Sequence, residues 1–199
     1  MRTDRREEQG FRSLLKWAAK GAHLLRVECL LEPGDRLMLH APAGWVSAAV
    51  CYAAWWVGLI ITVDGDAHVA VHHEALPPPE GADTLFVLGD APDGSPLGDT
   101  PSEAWAAAIQ AFPDQPPEPA AARDRSAVMA GDLSWTHAEL LQAARQWGDE
   151  GALGVLVDAE PAVWLAAVVR PLVTGAATVV LAGADPAATR AEGVTRWAS

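Results

Sequence analysis

The sequence predicts an α/β protein in which parallel strands are joined by crossover helices. Residues 34–64 run through a turn, a short apolar stretch, a second turn, a long uncharged stretch and a β-branched run. This order is typical of a strand, a buried helix and a second buried strand. Residues 154–183 repeat the order, and three residue pairs recur at one constant offset: Pro42 with Pro161, Trp45 with Trp164, and Ala48 with Ala167.

The first half is predicted to contain a helix–strand–helix–strand unit. Apolar residues at helical spacing indicate an amphipathic helix over residues 11–29, which a Pro-Gly-Asp turn ends. We expect a strand at residues 36–40, a crossover helix at 44–57 and a strand at 59–63. The rest of this half is predicted as a short strand or edge segment at 68–72, a strand at 83–88, and a helix at 101–112.

The second half is predicted to repeat this unit. A short strand at residues 127–130 precedes Thr136 and Glu139, which have capping-box spacing and begin a helix that runs to about residue 149. The remaining predicted elements are a strand at 154–158, a helix at 161–174 closed by Gly175, a strand at 177–182 and a short helix after Pro186. The two units are compatible with adjacent sheets or with one continuous sheet.

The proline-rich stretch at residues 113–125 is the predicted boundary between the two units. The division is a first α/β lobe at 1–112, a linker or surface strap at 113–125 and a second lobe at 126–199, and packing of both lobes as one domain is left open.

Composition and charge exclude several classes of function. The net charge of -12 argues against nucleic-acid partners and anionic membrane surfaces, which require clustered basic residues. Lys16 and Lys20 are the only lysines, so no phosphate-loop motif ending in lysine and no Schiff-base lysine can follow them. Two cysteines, Cys29 and Cys51, have no metal or disulfide-framework spacing and are predicted to be buried reduced thiols.

A cytoplasmic location is expected. Residues 1–9 are charged and lack the apolar core of a secretory signal. Residues 41–63 carry no charge and are long enough to span a bilayer. However, Pro42 and Gly44 interrupt the start of this stretch, Gly58 interrupts its end, and a buried helix followed by a buried strand explains the same pattern without a membrane.

Five residues are candidates for ligand binding. Asp64, Asp90 and Asp158 each follow a predicted strand, where ligands bind in open parallel sheets and where carboxylates can hold a cation or an amine. The alternative role for these aspartates is to cap a helix or begin a turn. Trp45 and Trp164 lie in the crossover helices and are candidates for a flat pocket wall, with core packing as the alternative.

One cluster has metal-ligand character, namely His68, His72, His73 and Glu74. No cysteine or second spaced pair completes a tetrahedral set. We therefore predict no metal site, and we interpret this stretch as a solvated, partly flexible segment before three prolines. No nucleophile elbow or dinucleotide fingerprint is present, so no catalytic residue is predicted.

Short motifs along most of the chain, except residues 64–125, are shared with one group of enzymes. They include Gly34-Asp35-Arg36 and residues 133–141 (LSWTHAELL). Further matching segments are residues 15–20, 23–25, 32–36 with Pro42 and Trp45, 171–176 and 194–196. These motifs resemble the N-terminal region of the acyl-adenylating superfamily, which includes AMP-binding acyl-CoA synthetases, and more closely a small actinobacterial family of truncated relatives.

The resemblance implies ATP, AMP or CoA as ligands, but the motifs for them are missing. In the family, a Ser/Thr/Gly-rich loop with a lysine holds the ATP phosphates. Here residues 126–132 (SAVMAGD) precede Thr136 with neither a glycine run nor a lysine. A turn that carries a histidine in the family is replaced by residues 160–164. The later adenine and ribose motifs and the C-terminal domain with its catalytic lysine would lie beyond Ser199.

The expected function is therefore non-catalytic. The chain is predicted to be an inactive acyl-CoA-synthetase-like domain, without a bound cofactor, that binds a small molecule or a protein partner. The alternative is a non-autonomous subunit that contributes acyl- or nucleotide-binding surface to an enzyme complex.

Overall fold

The protein forms six α-helices and ten strands in the residues that a computed structural model describes, which are 9–120, 124–181 and 185–198. The helices are α1 (Phe11–His23), α2 (Trp45–Trp56), α3 (Trp105–Ala108), α4 (His137–Arg145), α5 (Pro161–Thr174) and α6 (Pro186–Ala191). The strands are β1 (Arg36–His40), β2 (Ile60–Thr62), β3 (Ala67–His73), β4 (Ala82–Leu88), β5 (Glu103–Ala104), β6 (Ser126–Ala130), β7 (Leu133–Thr136), β8 (Ala152–Leu156), β9 (Thr178–Leu181) and β10 (Val194–Trp197).

Seven strands form the larger of two sheets, in the order β5-β4-β3-β1-β2-β6-β7. The pairs run parallel, except that β7 turns back antiparallel to β6. β1 pairs with β2 in the register Arg36 to Ile60, and α2 connects the two strands. The predicted α/β fold with parallel strands and crossover helices is therefore confirmed.

The second unit forms a separate sheet of three parallel strands, in the order β10-β8-β9. α5 connects β8 to β9 as α2 connects β1 to β2, so the two halves share the helix–strand–helix–strand order. The tryptophans matched by the constant offset are not equivalent, because Trp45 is the first residue of α2 and Trp164 is the fourth of α5. The chain therefore has two sheets, but they do not coincide with the predicted lobes, because β6 and β7 of the predicted second lobe belong to the larger sheet.

Helices α2 and α5 contact each other and so connect the two units. Each helix is buried along most of its length, in keeping with its apolar sequence. The Tyr52 hydroxyl of α2 donates a hydrogen bond to the Val168 carbonyl of α5, and the Trp55 indole N–H donates to the Ala127 carbonyl of β6 at 2.9 Å. One hydrophobic core cluster contains residues of both units.

Local sequence signals determine where several helices begin and end. The Thr136 hydroxyl accepts from the Glu139 N–H at 3.2 Å, and the Glu139 carboxylate accepts from the Thr136 N–H at 2.8 Å, so the predicted capping box is present. α5 begins with Pro161 and ends at Gly175, whose φ of 74° lies in the left-handed region that glycine adopts readily.

Several element bounds differ from the prediction. α1 leaves regular helix geometry in a π-helical turn over Leu24–Glu28, and α3 is followed by a short 3-10 turn over Ile109–Ala111. The predicted helix at 101–112 is thus only partly α-helical, because β5 occupies its beginning. α4 ends at Arg145 rather than near residue 149, and β7 and β10 were missed.

The alternative of an edge segment at residues 68–72 was wrong. The predicted solvated environment holds for His68, whose side chain is 49% exposed, but not for the two histidines at the end of the stretch. β3 lies between β1 and β4, inside the larger sheet. His72 is 3% exposed and His73 is 7% exposed. The polar composition of the stretch suggested solvent, but β3 is paired with a strand on each side and its last two histidines are buried.

The proline-rich boundary region lies against the first unit. Ala120 donates its N–H to the Trp56 carbonyl at 2.9 Å, and β6 and β7 after it extend the larger sheet. The division into lobes at 113–125 stays a prediction. The described residues leave out 1–8, 121–123, 182–184 and 199. Two predictions therefore lie outside them, namely the end of a strand at Ala182 and most of the charged N-terminal stretch.

Residues 41–63, the uncharged stretch, form α2 and β2. Among the helices of the described residues, none is both long and apolar enough to cross a membrane.

Candidate functional site

Two of the predicted site residues, Asp64 and Asp90, lie at the carboxyl-terminal edge of the larger sheet. Asp64 follows β2 and is exposed, and its carboxylate accepts a hydrogen bond from the Gly131 N–H at 3.0 Å. Asp90 follows β4. Since β1 and β3 lie between β2 and β4, the two carboxylates are three strands apart and do not form one site.

Asp90 belongs to a hydrogen-bonded loop. The His73 Nε2 lies 3.4 Å from the Asp90 carboxylate, and its Nδ1 accepts from the Ala75 N–H at 3.2 Å. The Glu74 carboxylate accepts from the N–H groups of Asp90 and Leu97, each at 2.9 Å. These contacts fix the loop after β4. The side chains of His73 and Glu74 therefore serve as hydrogen-bond partners for backbone N–H groups of the protein itself.

A serine–histidine pair lies beside this loop. The His72 Nδ1 donates to the His73 carbonyl at 3.3 Å, which leaves Nε2 as an acceptor 3.2 Å from the Ser102 hydroxyl. Burial is the main cause that lowers the His72 pKa, and His40 on the adjacent strand lowers it further. Because His72 is only 3% exposed, its imidazole is buried and is not accessible to a substrate.

No group of three or more His, Cys, Asp or Glu side chains that could hold a metal ion occurs in ranges 9–120, 124–181 and 185–198.

The other three predicted site residues are dispersed. Asp158 is exposed and follows β8, in the smaller sheet, so it does not share a sheet edge with Asp64 or Asp90. Trp164 is 7% exposed and belongs to the hydrophobic core. Trp45 is half-buried and packs edge-on against Trp17, with ring centroids 5.2 Å apart. The five residues are therefore spread over both sheets and two crossover helices.

The turn between β6 and β7 lies where the sequence resemblance places a phosphate-binding loop. It consists of Gly131 and Asp132 alone, and Gly131 has a φ of 56°. The Gly131 N–H, which such a loop would offer to a phosphate, already donates to the Asp64 carboxylate. A turn with two carboxylates, Asp64 and Asp132, is electrostatically unfavourable for a phosphate.

Both lysines lie elsewhere, on α1. The Lys16 ammonium is 2.9 Å and the Lys20 ammonium 3.4 Å from the Asp114 carboxylate. Asp114 belongs to a proline-rich segment, residues 112–118, which we call the strap. The strap runs along α1 and is held by side chains of α1 and α2, among them the Trp56 indole, which donates to the Pro117 carbonyl at 2.7 Å.

A cavity of about 230 Å³ lies between α1, α2 and the strap. Its apolar lining is formed by Leu15, Ala18, Ala19, Tyr52, Trp56 and Pro116, and its charged lining by Arg12, Lys16 and Asp114. The three charged residues are exposed, so they lie on the solvent side of an otherwise apolar hollow.

This cavity could not be predicted from the sequence, because α1 and the strap are about 90 residues apart in the chain. The available signal was charge. Basic residues recur along one helix, at Lys16, Lys20, His23 and Arg26, while the proline-rich segment carries Asp114 and Glu118.

Comparison with known proteins supports the sequence resemblance. No protein-family model matches the chain. A Mycobacterium tuberculosis protein named "TIGR03089 family protein" is 40% identical over 70 residues, which are 35% of this chain and 29% of that protein. Solved structures match a larger share of the chain at lower identity.

The acyl-CoA synthetase of Brucella canis matches 96% of this chain and 42% of its own with a TM-score of 0.75 and 17% identity. The N-terminal domain of FACL13 from Mycobacterium tuberculosis matches 86% of this chain and 50% of its own with a TM-score of 0.64 and 14% identity. The chain thus spans half or less of the length of these proteins. It has the fold of the N-terminal region of AMP-binding acyl-CoA synthetases.

Proposed function

We propose that this chain is a catalytically inactive acyl-CoA-synthetase-like domain that binds a small molecule in the cavity between α1, α2 and the strap. The cavity is the observation that carries the proposal, because it combines apolar walls with a few charged groups at its opening, as small-molecule sites do.

Loss of adenylating activity is supported by the β6–β7 turn. A triphosphate is held by free backbone N–H groups together with a lysine. Here the Gly131 N–H is occupied by Asp64, and both lysines contact Asp114 next to α1. The turn therefore offers neither a free Gly131 N–H nor a lysine to the phosphates.

The size of the cavity favours a small ligand. Sites for drug-sized ligands usually enclose about 300–1,000 Å³, whereas this cavity measures about 230 Å³. A short aliphatic or single-ring compound fits inside that space, whereas ATP or CoA would extend out of its opening. Tyr52 lines the cavity, but its hydroxyl donates to Val168, so it adds chiefly apolar surface.

Two measurements on the whole chain test the proposal. Adenylation is assayed by pyrophosphate exchange from ATP with a panel of carboxylic acids, and no exchange above a protein-free blank is expected. Binding is assayed by the shift in melting temperature with ATP, AMP, CoA and a set of single-ring or short aliphatic compounds. Only the small compounds are expected to raise the melting temperature.

The matched control is Ala18→Leu, which fills the cavity from α1. It should abolish the shift given by the small compounds while the unliganded variant still unfolds cooperatively. Pyrophosphate exchange would overturn the assignment as inactive. A shift that persists in Ala18→Leu would overturn the assignment of the site.

A protein partner is the second candidate, and exposed apolar residues favour it. Val27 is 56% exposed and Leu30 is 76% exposed, and Leu30 has a φ of 55°, unusual for a residue with a branched side chain. Both lie close together in the sequence after α1. A pull-down in which Val27→Ser/Leu30→Ser loses a partner that the unaltered chain retains would favour this function, including the subunit hypothesis.

A further inference from the structure

The charged opening of the cavity holds a carboxylate that comes from the protein itself. The Asp114 carboxylate lies 2.9 Å from the Lys16 ammonium and 3.4 Å from that of Lys20. The hydrogen bond from Lys16 is the main cause that lowers the Asp114 pKa, so this group is an anion at neutral pH. An anion thus already occupies the cationic side of an otherwise apolar hollow.

The ion pair is placed where an incoming anion could replace it. The Lys16 and Asp114 side chains are 53% and 46% exposed. Exposed ion pairs of this kind contribute little to stability, because water and salt screen them and both side chains lose rotamer freedom. Exchanging Asp114 for another anion therefore costs the protein little.

The strap does not depend on Asp114 for its position. Lys20 donates to the Phe112 carbonyl at 2.7 Å, the His23 Nε2 is 2.9 Å from the Gln115 carbonyl, and Arg26 donates to the Glu118 carbonyl at 2.9 Å. These bonds reach the backbone of the strap, so the Asp114 side chain can swing away while the cavity keeps its wall.

The charge balance of the lining favours an anion. Arg12 and Lys16 contribute two positive charges and Asp114 one negative charge, so the described lining carries a surplus of one positive charge. When Asp114 turns to solvent, the local surplus rises to two. A neutral or cationic ligand gains nothing from this arrangement.

We propose that the cavity takes a small apolar monoanion, whose charged group replaces the Asp114 carboxylate on Lys16 while its apolar part packs against Leu15, Tyr52 and Trp56. Asp114 is then a built-in competitor, and its removal strengthens binding. The inference rests on the proposed function, since it assumes that the cavity is the binding site.

The test compares three probes of similar shape, hexanoate, hexylamine and 1-hexanol, by isothermal titration or ligand-observed NMR on the whole chain. Hexanoate should bind the unaltered chain better than 1-hexanol, and hexylamine should bind worst. Lys16→Gln should weaken hexanoate by about three- to five-fold, the range expected of an exposed ion pair, and leave 1-hexanol unchanged. Asp114→Asn should tighten hexanoate by a similar factor and also leave 1-hexanol unchanged.

Arg145→Gln, which removes a cation from α4, is the matched control and should change no probe. Binding of 1-hexanol confirms that each variant retains the cavity. Equal binding of all three probes, or an effect of Lys16→Gln on 1-hexanol as large as on hexanoate, would overturn the preference for an anion and leave the proposed function intact. Absence of binding by every probe would overturn both.

Discussion

The Ala167 carbonyl in α5 accepts a hydrogen bond from the Thr178 hydroxyl at the start of β9, with an oxygen–oxygen distance of 2.9 Å. Within a regular helix this carbonyl would accept from the N–H four residues later, but that residue is Pro171, which has none. The first residue of β9 therefore supplies the donor that the helix lacks. This bond fixes the end of α5 against the smaller sheet.

We expect Thr178→Val to lower the free energy of unfolding by about 1–3 kcal/mol, because it leaves a carbonyl without its donor at nearly unchanged side-chain volume. Urea denaturation measures the loss. Pro171→Ala is the matched background, since alanine restores a helical N–H. If Thr178→Val costs as much in that background as in the unaltered chain, the bond does not compensate for the proline.

The buried Arg170 side chain of α5 forms hydrogen bonds with the loop before β8. Its guanidinium donates to the carbonyls of Gly148 at 3.0 Å, Gly151 at 3.0 Å and Ala177 at 2.6 Å, and the side chain is buried. The first two carbonyls lie between α4 and β8, and the third directly precedes β9. A single side chain thus orders two connections.

Arg170→Met should destabilise the protein by roughly 3 kcal/mol or more, because several carbonyls lose a charged donor together. The stability of Arg170→Lys should be intermediate. The lysine ammonium keeps the positive charge, but it is too compact to reach all the carbonyls that the planar guanidinium contacts. Thermal unfolding followed by circular dichroism ranks the two variants. Equal stability of Arg170→Met and the unaltered chain would show that the carbonyls are satisfied without the arginine.

Local patterns were sufficient to predict the crossover units. Pro161 and Gly175 mark the two ends of α5, and Thr136 with Glu139 marks the start of α4, because caps depend on residues only a few positions apart. The fold class followed from the uncharged helix and the apolar strand beside it. These signals do not require knowledge of the partner elements.

Features that depend on distant partners could not be predicted in this way. β10 exists because Val194 pairs with Ala152, and β3 is an inner strand because β1 and β4, from either side of it in the sequence, pair with it. The same limit applies to the candidate site. Residues after parallel strands share an edge, but the sequence does not show that Asp158 belongs to another sheet or that the strap reaches α1.

Acid should destabilise the protein partly through His72. Burial holds its pKa below the ordinary value of 6.5, so the unfolded chain takes up a proton before the folded protein does. The contribution to stability is complete above about pH 6.5 and is lost as the pH falls below that value toward the lowered pKa. His137, whose pKa is also lowered by burial, acts in the same direction.

His72→Asn should therefore flatten the dependence of stability on pH between about 7 and 5. This expectation does not depend on how much the substitution lowers the free energy of unfolding at pH 8. The measurement is the urea midpoint at each pH. His68→Asn is the control, because His68 lies on the same strand with its side chain 49% exposed. An unchanged slope in His72→Asn would mean that this histidine does not take part in the acid response.

The two thiols should differ in reactivity, although neither is disulfide-bonded. Burial, with smaller contributions from Glu28 and Glu103, raises the Cys29 pKa to about 11, and complete burial raises the Cys51 pKa further. Because the thiolate is the reacting form, an aromatic disulfide reagent at pH 8 should modify Cys29 slowly and Cys51 only as fast as the protein unfolds.

Cys29→Ser isolates Cys51, and Cys51→Ala isolates Cys29. The rate for Cys51 should rise with urea in parallel with the unfolded fraction, and rapid modification of Cys51 without denaturant would contradict its position inside α2 against the core.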